Sequence, residues 1–443
     1  MCRVTGRRVG LYTLGCKVSQ YETEAIAEDF ERRGFCVCDF DEVCDVYVIN
    51  TCTVTAESDR KSRQIIRRAV SRNPDALVMV TGCYAQTSPD AVARIPGVAY
   101  ICGSGGKMKI AEAALTLLGR QSQLSPFCAV TAVEEEPFER MSITHAPRTR
   151  AYVKIEDGCE CRCSYCAIPG ARGRVRSKSP DDVVAEVEAL CRGGTGEVVL
   201  TGIETASYGA DLADCRLIDL LERLENQSGV RRIRLGSLTP ELMRPDFVAR
   251  AARLGKLAPH FHLSVQSGSD AVLRGMRRRY SAAQALEGIE RVRQAMPRVN
   301  FTTDVMVGFP GESDDNFAET EAFCRRAGFL DMHIFAYSPR PGTPAASYPD
   351  QVPEAIKHRR SHALSQLRDE LHAAACAAAV AAAEPLSVLF ESCSEGVWSG
   401  HSDNFFEVAV RSRENLHGRF ATVLPTGVSG GRLSGTLLTV DTN

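Results

Sequence analysis

The amino-acid sequence has little net charge and no long apolar run. Among its 443 residues, 53 are lysine or arginine and 55 are aspartate or glutamate, which gives a formal net charge of −2. Nucleic-acid binding must therefore come from local basic patches rather than from the field of the whole molecule. No stretch approaches the roughly eighteen apolar residues of a membrane span, and the opening MCRVTGRRVGLYTLGC lacks the apolar core of a signal peptide. These absences predict a cytoplasmic protein with no membrane contact.

Cysteine, by contrast, is abundant. The chain has 18 cysteines, and in a reducing cytoplasm they are expected to be metal ligands, catalysts and small core residues rather than disulfides. Several are expected to fill the core, because they lie within helical patterns: Cys191, Cys215, Cys324 and Cys376. Cysteines that carry chemistry are therefore sought among the others.

Three cysteines in one loop form a C-x3-C-x2-C array: Cys159, Cys163 and Cys166. Three thiolates leave one iron of a 4Fe–4S cluster open for a substrate or cofactor. Cys161 creates an overlapping C-x-C-x-C-x2-C run, and four close sulfurs could instead hold a structural zinc ion. Zinc sites usually pair two short knuckles separated by about a dozen or more residues. The single loop therefore favours the iron–sulfur cluster, with Cys161 outside the ligand set.

The first hundred or so residues alternate short apolar runs with helical patterns, which predicts a parallel sheet with crossover helices. The runs VGLYTL, DVYVIN and ALVMVT each end near a cysteine, namely Cys16, Cys52 and Cys83. Because the carboxyl ends of parallel strands share one edge, these three thiols should converge and hold a second 4Fe–4S cluster with an open iron. The alternative is three unrelated small residues at strand ends. Three further cysteines, at positions 36, 38 and 44, lack this register.

Six strand patterns, each followed by a helical pattern, occupy residues 150–378: AYVKIED, EVVLTGIE, RRIRLGSL, HFHLSVQS, FTTDVMVGF and DMHIFAYS. Six units are too few for a closed eight-unit barrel, so an incomplete, laterally open (βα)6 barrel is predicted. A closed barrel would require two further units. The cysteine array follows the first strand and therefore lies at the carboxyl ends, where barrel enzymes build their sites.

The remaining patterns complete a three-domain α/β organisation. We expect a Rossmann-like parallel-sheet domain at 1–118, a linker at 119–149, the open barrel at 150–378 and a small all-β barrel at 379–443. A long helical pattern runs from Val352 to about Ala383 before the last segment. The aromatic residues Trp398, Phe405 and Phe406 of that segment could stack on RNA bases or form its core.

The cysteine array, with Tyr165 before its last cysteine, resembles the signature of the radical S-adenosylmethionine (SAM) superfamily. The resemblance implies that SAM chelates the open iron, that an electron from the cluster releases a 5′-deoxyadenosyl radical, and that Tyr165 lies near the adenine. Residues ending other strands on this edge are candidates for contacts to SAM: Thr201, Gly202, Ser264, Gln266 and Gly308. Turn or barrel-layer roles are the alternative for these five, and none is expected to be catalytic.

The N-terminal region resembles that of the methylthiotransferases, which join a three-cysteine domain to a radical-SAM domain. Two segments resemble the branch of this family that acts on N6-threonylcarbamoyladenosine in tRNA: LGCKVSQYETE around Cys16 and NTCTVTAESDRKSRQ around Cys52. The resemblance implies insertion of a methylthio group at C2 of that nucleoside at position 37, next to the anticodon, with SAM as both methyl donor and radical source. Two 4Fe–4S clusters, a C-terminal TRAM domain, an electron donor, a sulfur source and a monomeric chain are expected.

Two other functions stay open at this point. Sister methylthiotransferases act on isopentenyladenosine in tRNA or on a ribosomal-protein aspartate, and a zinc-bearing RNA-binding protein is a remote alternative. Basic groups that could contact RNA phosphates, or simply be solvated, lie in three places. They are the helix after Cys52 (Arg60, Lys61, Arg63, Arg67, Arg68 and Arg72), the segment after the array (Arg172, Arg174, Arg176 and Lys178) and Arg277, Arg278 and Arg279.

Overall fold

The computed structural model describes residues 6–119, 126–133 and 137–441. Three units follow one another: a parallel sheet covered by helices, an open barrel and a small closed β-barrel. Residues 120–125 and 134–136, which belong to the predicted linker, lie outside the described residues. No helix in the described part of the chain is long and apolar enough to span a bilayer.

The N-terminal unit is a six-stranded parallel sheet with strand order β2-β1-β3-β4-β5-β6. Its strands are β1 (Arg8–Thr13), β2 (Cys36–Cys38), β3 (Val46–Thr51), β4 (Leu77–Gly82), β5 (Val98–Ile101) and β6 (Phe127–Cys128). Its helices are α1 (Lys17–Arg32), α2 (Ala56–Arg72), α3 (Cys83–Thr87), α4 (Pro89–Ala93) and α5 (Ile110–Leu118), with a 3₁₀ turn at Lys107–Lys109. Val46 and Val48 belong to one apolar core, and Tyr47 and Ile49 belong to a second one. Successive side chains of β3 therefore point to opposite faces of the sheet, and both faces are covered by apolar residues. The predicted Rossmann-like parallel sheet is confirmed.

Three of these six strands match the predicted ones. β1, β3 and β4 coincide with VGLYTL, DVYVIN and ALVMVT to within one residue at each end. The sequence pattern does not predict β2, β5 and β6, which have three, four and two residues. Strands this short carry too few positions for a periodic signal.

The middle unit contains all six predicted strands and their helices. Its strands are β7 (Arg150–Lys154), β8 (Glu156–Asp157), β9 (Arg176–Ser177), β10 (Glu197–Thr201), β11 (Arg232–Leu235), β12 (Ser237–Leu238), β13 (His260–Gln266), β14 (Asn300–Val307) and β15 (Asp331–Ala336). Its helices are α6 (Ile168–Arg172), α7 (Pro180–Arg192), α8 (Leu217–Glu225), α9 (Pro245–Ala251), α10 (Asp270–Gly275), α11 (Ala282–Ala295), α12 (Asp314–Ala327) and α13 (Glu354–Ala382). Short 3₁₀ turns occupy Thr205–Ser207, Pro240–Leu242 and Pro344–Ser347.

These strands form a curved parallel sheet that does not close in the described residues. β11 pairs with β10, which pairs with β7, and β12 continues through β13 and β14 to β15. β11 and β12 are one predicted strand, interrupted at Gly236. β7 and β15 are therefore the two edges, and the predicted open (βα)6 barrel is confirmed.

Helix α1 of the N-terminal unit packs along the β7 edge of the open barrel. The Tyr21 hydroxyl of α1 lies 2.9 Å from a carboxylate oxygen of Glu186 on α7. Two residues of the predicted linker, Met141 and Ile143, are buried in the core of the open barrel. The two units consequently share a buried interface rather than a flexible joint.

The C-terminal unit is a closed five-stranded barrel with order β16-β17-β18-β20-β19. Its strands are β16 (Leu386–Ser394), β17 (Val397–Ser402), β18 (Glu407–Arg411), β19 (Phe420–Ser429) and β20 (Arg432–Val440). Its apolar core also includes Cys376, near the end of α13. The domain boundary expected between residues 378 and 379 falls inside this helix.

The closed barrel caps the amino-terminal ends of the open barrel's strands. Buried Glu197, the first residue of β10, accepts hydrogen bonds from Arg232 Nη1 (2.9 Å) and Arg234 Nε (2.7 Å). The same two arginines donate to backbone carbonyls of the closed barrel, at Ser387 (2.7 Å) and Ser402 (2.5 Å). This cap lies opposite the cysteine array, which follows the carboxyl end of β7.

The three C-terminal aromatic residues are engaged within the chain. Phe406 is buried in the closed barrel, and Trp398 packs against the same core. Phe405 stacks on His260, the first residue of β13, with ring centroids 4.0 Å apart. The three side chains therefore pack within the chain, which is the second of the two roles expected for them.

The buried carboxylate at this interface predicts a pH dependence of stability. Although burial opposes its charge, Arg234, Arg232 and Arg150 lower the pKa of Glu197 from 4.5 to about 2. A carboxyl whose pKa is lower in the folded state stabilises the fold above its unfolded pKa and loses that effect as the pH falls towards the folded value. The difference corresponds to about 3 kcal/mol near neutral pH.

We therefore expect Glu197→Gln to be most destabilising above about pH 5. The amide cannot ionise, so the difference in unfolding free energy between the two proteins should shrink as the pH is lowered from 7 to 3.5. Scanning calorimetry across this range measures it, with Glu319→Gln at an exposed carboxylate of α12 as the control. A difference that stays constant with pH would contradict the assignment.

Candidate functional site: a cavity between two cysteine groups

A cavity of about 840 Å³ separates the N-terminal unit from the carboxyl ends of the open barrel. The predicted cluster ligands of the barrel line one side of it: Cys159, Cys163 and Cys166. Thr53, which follows Cys52, and Gln86 of α3 line the other side. The neighbours of the N-terminal cysteines thus face the barrel's array across one space.

The three N-terminal cysteines lie at the carboxyl ends of adjacent parallel strands. β1 pairs with β3, and β3 pairs with β4 up to Thr51 and Gly82, the residues just before Cys52 and Cys83. Cys16 follows β1, and a Cβ placed on its neighbour Gly15 would lie 3.3 Å from Cys52 Sγ. The structure therefore brings the predicted triad together at one edge.

The environment of these thiols suits a bound cation. Burial, with the nearby thiols of Cys83 and Cys16, raises the pKa of Cys52 to about 11. Ligand thiols must lose their protons, and a metal supplies the positive charge that makes this favourable. The backbone supports the arrangement at Gly82, where φ is +97° and a Cβ would lie 2.4 Å from the Thr51 carbonyl oxygen. Only glycine fits there, immediately before Cys83.

The loop that carries the barrel's cysteines is closed at its base by the antiparallel pair β8 and β9. Gly158, with φ at +91°, starts the loop, and a Cβ there would lie 1.9 Å from the Arg174 carbonyl oxygen. Within the loop, the backbone N–H of Ile168 donates to Cys166 Sγ at 3.4 Å. Arg278 Nη1 donates to Cys163 Sγ at 3.4 Å from outside the loop.

Cys161 lies beside the predicted ligand Cys159. A hydrogen bond between the two thiols lowers the pKa of Cys161 to about 6 and raises that of Cys159. Its exclusion from the ligand set stays a prediction.

The positions of the cysteines also bear on the zinc alternative. Zinc–sulfur bonds of about 2.3 Å require ligand sulfurs within about 4 Å of one another, whereas the thiols around an iron–sulfur cluster bind different irons. Within residues 6–119, 126–133 and 137–441, no group of three His, Cys, Asp or Glu side chains is placed to hold one ion. Cluster ligation by the two cysteine groups stays a prediction.

A buried ion network joins the two cysteine groups. Arg172, fully buried in the cluster loop, donates to Glu22 of α1 (Nη1, 2.5 Å) and to Cys83 Sγ (Nε, 3.1 Å). Lys154 donates to both Glu22 (2.8 Å) and Asp157 (2.6 Å). Although burial opposes its charge, Arg172 and the neighbouring lysines hold the pKa of Glu22 well below its ordinary value. Sequence reasoning missed Glu22, because nothing local marks it as the partner of a residue 150 positions away.

This network corrects the expectation that the basic segment after the array contacts RNA phosphates. Arg172, Arg176 and Lys178 are buried, and only Arg174 is exposed. Lys178 pairs with Glu186 at 2.5 Å. These cations neutralise carboxylates inside the protein. Arg277 and Arg279 are exposed, and so are Lys61 and Arg67 on α2, so all four remain candidates for phosphate contact.

The predicted SAM contacts divide into two groups by position. Tyr165 packs edge-on against Phe309, next to Gly308, with ring centroids 6.5 Å apart. Gly308 has φ at +71°, and a Cβ would lie 2.3 Å from Lys357 Cγ. The space beside this glycine is therefore filled by a side chain of α13.

The second group lies at the ends of β10 and β13. Gln266 has φ at +69°, and its buried Oε1 has no hydrogen-bond partner among the described residues. Ser264 donates its hydroxyl to Asp304, at 3.2 Å. Thr201 is buried, and a Cβ on Gly202 would lie 2.4 Å from Glu156 Oε2.

Two carboxylates near the array, of buried Glu156 and half-buried Glu204, were not predicted from the sequence. Burial, then the charge of Cys161, raises the pKa of Glu204 to about 8, and burial raises that of Glu156 well above its ordinary value. Each has one buried oxygen without a partner among the described residues. The two carboxylates offer acceptors to a ligand that carries N–H donors, which fits the amino group of SAM. Glu204 lies in the same TGIE segment as the predicted residues Thr201 and Gly202. This proximity in sequence is the feature that could have identified it as a further candidate.

Arg340, in the loop after β15, also lines the cavity. Its Nη2 donates to Thr53 Oγ1 (2.7 Å) and Asp59 Oδ2 (2.8 Å). It therefore ties the barrel mouth to the segment after Cys52.

Comparison with known proteins agrees with both halves of this site. A family model described as Radical SAM superfamily matches residues 153–324, and one described as Uncharacterized protein family UPF0004 matches residues 8–103. Among solved structures, the radical S-adenosylmethionine methyltransferase TsrM from Kitasatospora setae, with cobalamin and a 4Fe–4S cluster bound, has a TM-score of 0.58 at 18% identity. It covers 77% of each chain. This likeness concerns the fold alone.

Curated relatives extend over most of the chain. The threonylcarbamoyladenosine tRNA methylthiotransferase MtaB of Bacillus subtilis is 39% identical over 94% of this chain and 93% of its own length. The protein of the same name from Thermotoga maritima is 37% identical over 81% of each chain. The tRNA-2-methylthio-N(6)-dimethylallyladenosine synthase of Acidothermus cellulolyticus is 36% identical over 81% of this chain and 73% of its own.

Proposed function

Because the chain belongs to the radical-SAM methylthiotransferase family, we propose that it inserts a methylthio group at C2 of N6-threonylcarbamoyladenosine at position 37 of tRNA. The observation that carries the proposal is the cavity lined by the barrel's three cysteines on one side and by residues close to Cys52 and Cys83 on the other. Sulfur insertion requires a radical source and a sulfur carrier within reach of the same carbon. The shared cavity offers that proximity.

The C2–H bond of an adenosine has no acidic proton, so ordinary acid–base chemistry cannot activate it. SAM cleavage at the cluster held by Cys159, Cys163 and Cys166 would supply the radical, and the cluster held by Cys16, Cys52 and Cys83 would carry the sulfur that a second SAM methylates. The polypeptide's part is to hold the target carbon, SAM and sulfur close together. Arg340 and the Arg172 network support this role by fixing the N-terminal unit to the barrel mouth.

The partners follow from the same proposal. The anticodon stem-loop of tRNA would approach the cavity, with the modified base splayed from the loop. Three exposed arginines on the barrel's side of the cavity could contact RNA phosphates: Arg174, Arg277 and Arg279. An electron donor and a sulfur source are required, and we propose that the chain acts in the cytoplasm as a monomer.

A second candidate function is methylthiolation of dimethylallyladenosine. It is favoured by the relative of that name, whose identity to this chain is only three percentage points below that of the Bacillus subtilis protein. Overall sequence identity therefore discriminates only weakly between the two substrates. Substrate specificity must depend on the residues that contact the base.

The reconstituted chain, incubated with SAM, a reductant and tRNA carrying N6-threonylcarbamoyladenosine, is expected to give the 2-methylthio derivative of that nucleoside. Nucleoside mass analysis detects it, and tRNA carrying dimethylallyladenosine serves as the parallel substrate. A variant with Cys163→Ala controls for chemistry at the barrel's cluster and should give no product from either tRNA. Product from the dimethylallyl substrate alone would refute the proposal in favour of the second candidate.

A further inference from the structure

Arg172 connects the two cysteine groups through one buried guanidinium group. It is the last residue of α6, in the loop after Cys166 of the barrel's array, and it is fully buried. Its Nε donates to Cys83 Sγ of the N-terminal unit, at 3.1 Å. A residue from the loop of one cysteine group therefore donates a hydrogen bond to a predicted cluster ligand of the other.

Two carboxylates fix the orientation of this guanidinium group. Glu22 accepts hydrogen bonds from Nη1 (2.5 Å) and Nη2 (3.2 Å), and Asp157 Oδ2 lies 3.3 Å from Nη1. Because both terminal nitrogens are engaged in this way, Nε is the donor that remains, and its partner is Cys83. A lysine has a single nitrogen and lacks this rigid fork, so it could not reproduce the arrangement.

The buried network next to Cys83 has more cations than carboxylates. Its ion pairs join three buried cations to two carboxylates: Arg172, Lys154, Lys107, Glu22 and Asp157. Burial raises the pKa of Glu139, which lies close enough for the charges of both lysines to act on it, but this carboxyl makes no ion pair within the described part of the chain. Because uncompensated buried charge is costly, the network suits an anion beside it.

A 4Fe–4S cluster held by Cys16, Cys52 and Cys83 would be that anion. Three thiolates outweigh the positive charge of the oxidised core, and a further negative charge is added by reduction or by an anionic sulfur ligand on the open iron. Hydrogen bonds to the sulfurs and the net charge of the site both set the potential of such a cluster. A cationic donor stabilises the more negative state more strongly.

We propose that Arg172 is a positioning residue for the N-terminal cluster: through Cys83 it raises the reduction potential of the cluster and stabilises the charge of a sulfur ligand on the open iron. This inference rests on the proposed function, in which that cluster carries the sulfur. The corresponding bond at the barrel's array is longer and less buried. It runs from half-buried Arg278 to Cys163 Sγ, at 3.4 Å.

The test is a redox titration with a low-potential chemical reductant, followed by electron paramagnetic resonance. The parent is the full chain with Cys159, Cys163 and Cys166 replaced by alanine, so that only the N-terminal cluster contributes. Arg172→Lys keeps a positive charge near Glu22 but lacks the Nε–H group. At a fixed solution potential it should lower the ratio of reduced to oxidised cluster about tenfold, which corresponds to about 59 mV for a one-electron couple.

A charge-balanced variant separates the hydrogen bond from the stability of the network. Arg172→Met with Glu22→Gln removes one cation and one carboxylate together, and it should also lower the reduction potential. Lys109→Met, at an exposed lysine of the same unit, is the control and should leave the potential unchanged. Iron content and the visible spectrum of each variant show whether the cluster is retained.

The outcomes separate this role of Arg172 from the proposed function. If both Arg172 variants keep the potential of the parent, or if both lose their iron, the tuning role is overturned, and methylthiolation of tRNA by the wild type leaves the proposed function standing. If the parent chain binds no iron after reconstitution, the N-terminal cluster is absent, and the tuning role and the proposed function are overturned together.

Discussion

Replacing Cys16, Cys52 and Cys83 together by alanine is expected to lower the iron content of the anaerobically reconstituted chain from about eight atoms to about four. Methylthiolation of tRNA should be lost, because no sulfur carrier remains. Reductive cleavage of SAM should persist, since the barrel's array is intact. Iron and sulfide assay, together with quantification of 5′-deoxyadenosine, measures the two effects separately.

The N-terminal unit offers a matched control for this triple variant. Cys36, Cys38 and Cys44 belong to the same unit but lie outside the strand-end register. Their joint replacement by alanine should leave iron content unchanged. Full iron retention in the variant at the strand-end cysteines, or equal loss in both variants, would contradict the second cluster.

The convergence of these cysteines could be predicted because it depends on local information. Each of β1, β3 and β4 is long enough to show its apolar pattern, and parallel pairing then brings the residues after these strands to one edge. The open barrel was predictable for the same reason, since each of its strands is followed by a helix of ordinary length.

The electrostatic interior could not be predicted in this way. Arg172 and Lys178 belong to a basic run whose pattern is typical of a phosphate-binding surface. Their partners are instead Glu22 of α1 and Glu186 of α7. Charge patterning along a segment does not say which side of it is buried. The position of the closed barrel, at the amino-terminal ends of the strands, likewise depends on the Glu197 arginine pairs, which no periodicity reveals.

Arg172 provides the largest stability effect that the structure predicts. We expect Arg172→Met to destabilise the folded chain by about 3–5 kcal/mol, because removing one partner of a buried ion network leaves uncompensated charge. Glu22 would lose two hydrogen bonds from the guanidinium group, and Asp157 would keep Lys154 as its main partner. Scanning calorimetry of the anaerobically reconstituted chain, with limited proteolysis at the α1 interface, measures the loss.

Arg174→Met is the matched control, because this exposed arginine lies two residues away in the same loop. A change within about 0.5 kcal/mol is expected there. The double variant Arg172→Met with Glu22→Gln should recover part of the loss, since the unpaired carboxylate is then neutral. If Arg172→Met is no less stable than Arg174→Met, the network does not hold the two units together, and the alignment of the two cysteine groups must depend on Arg340 and on apolar packing along β7 instead.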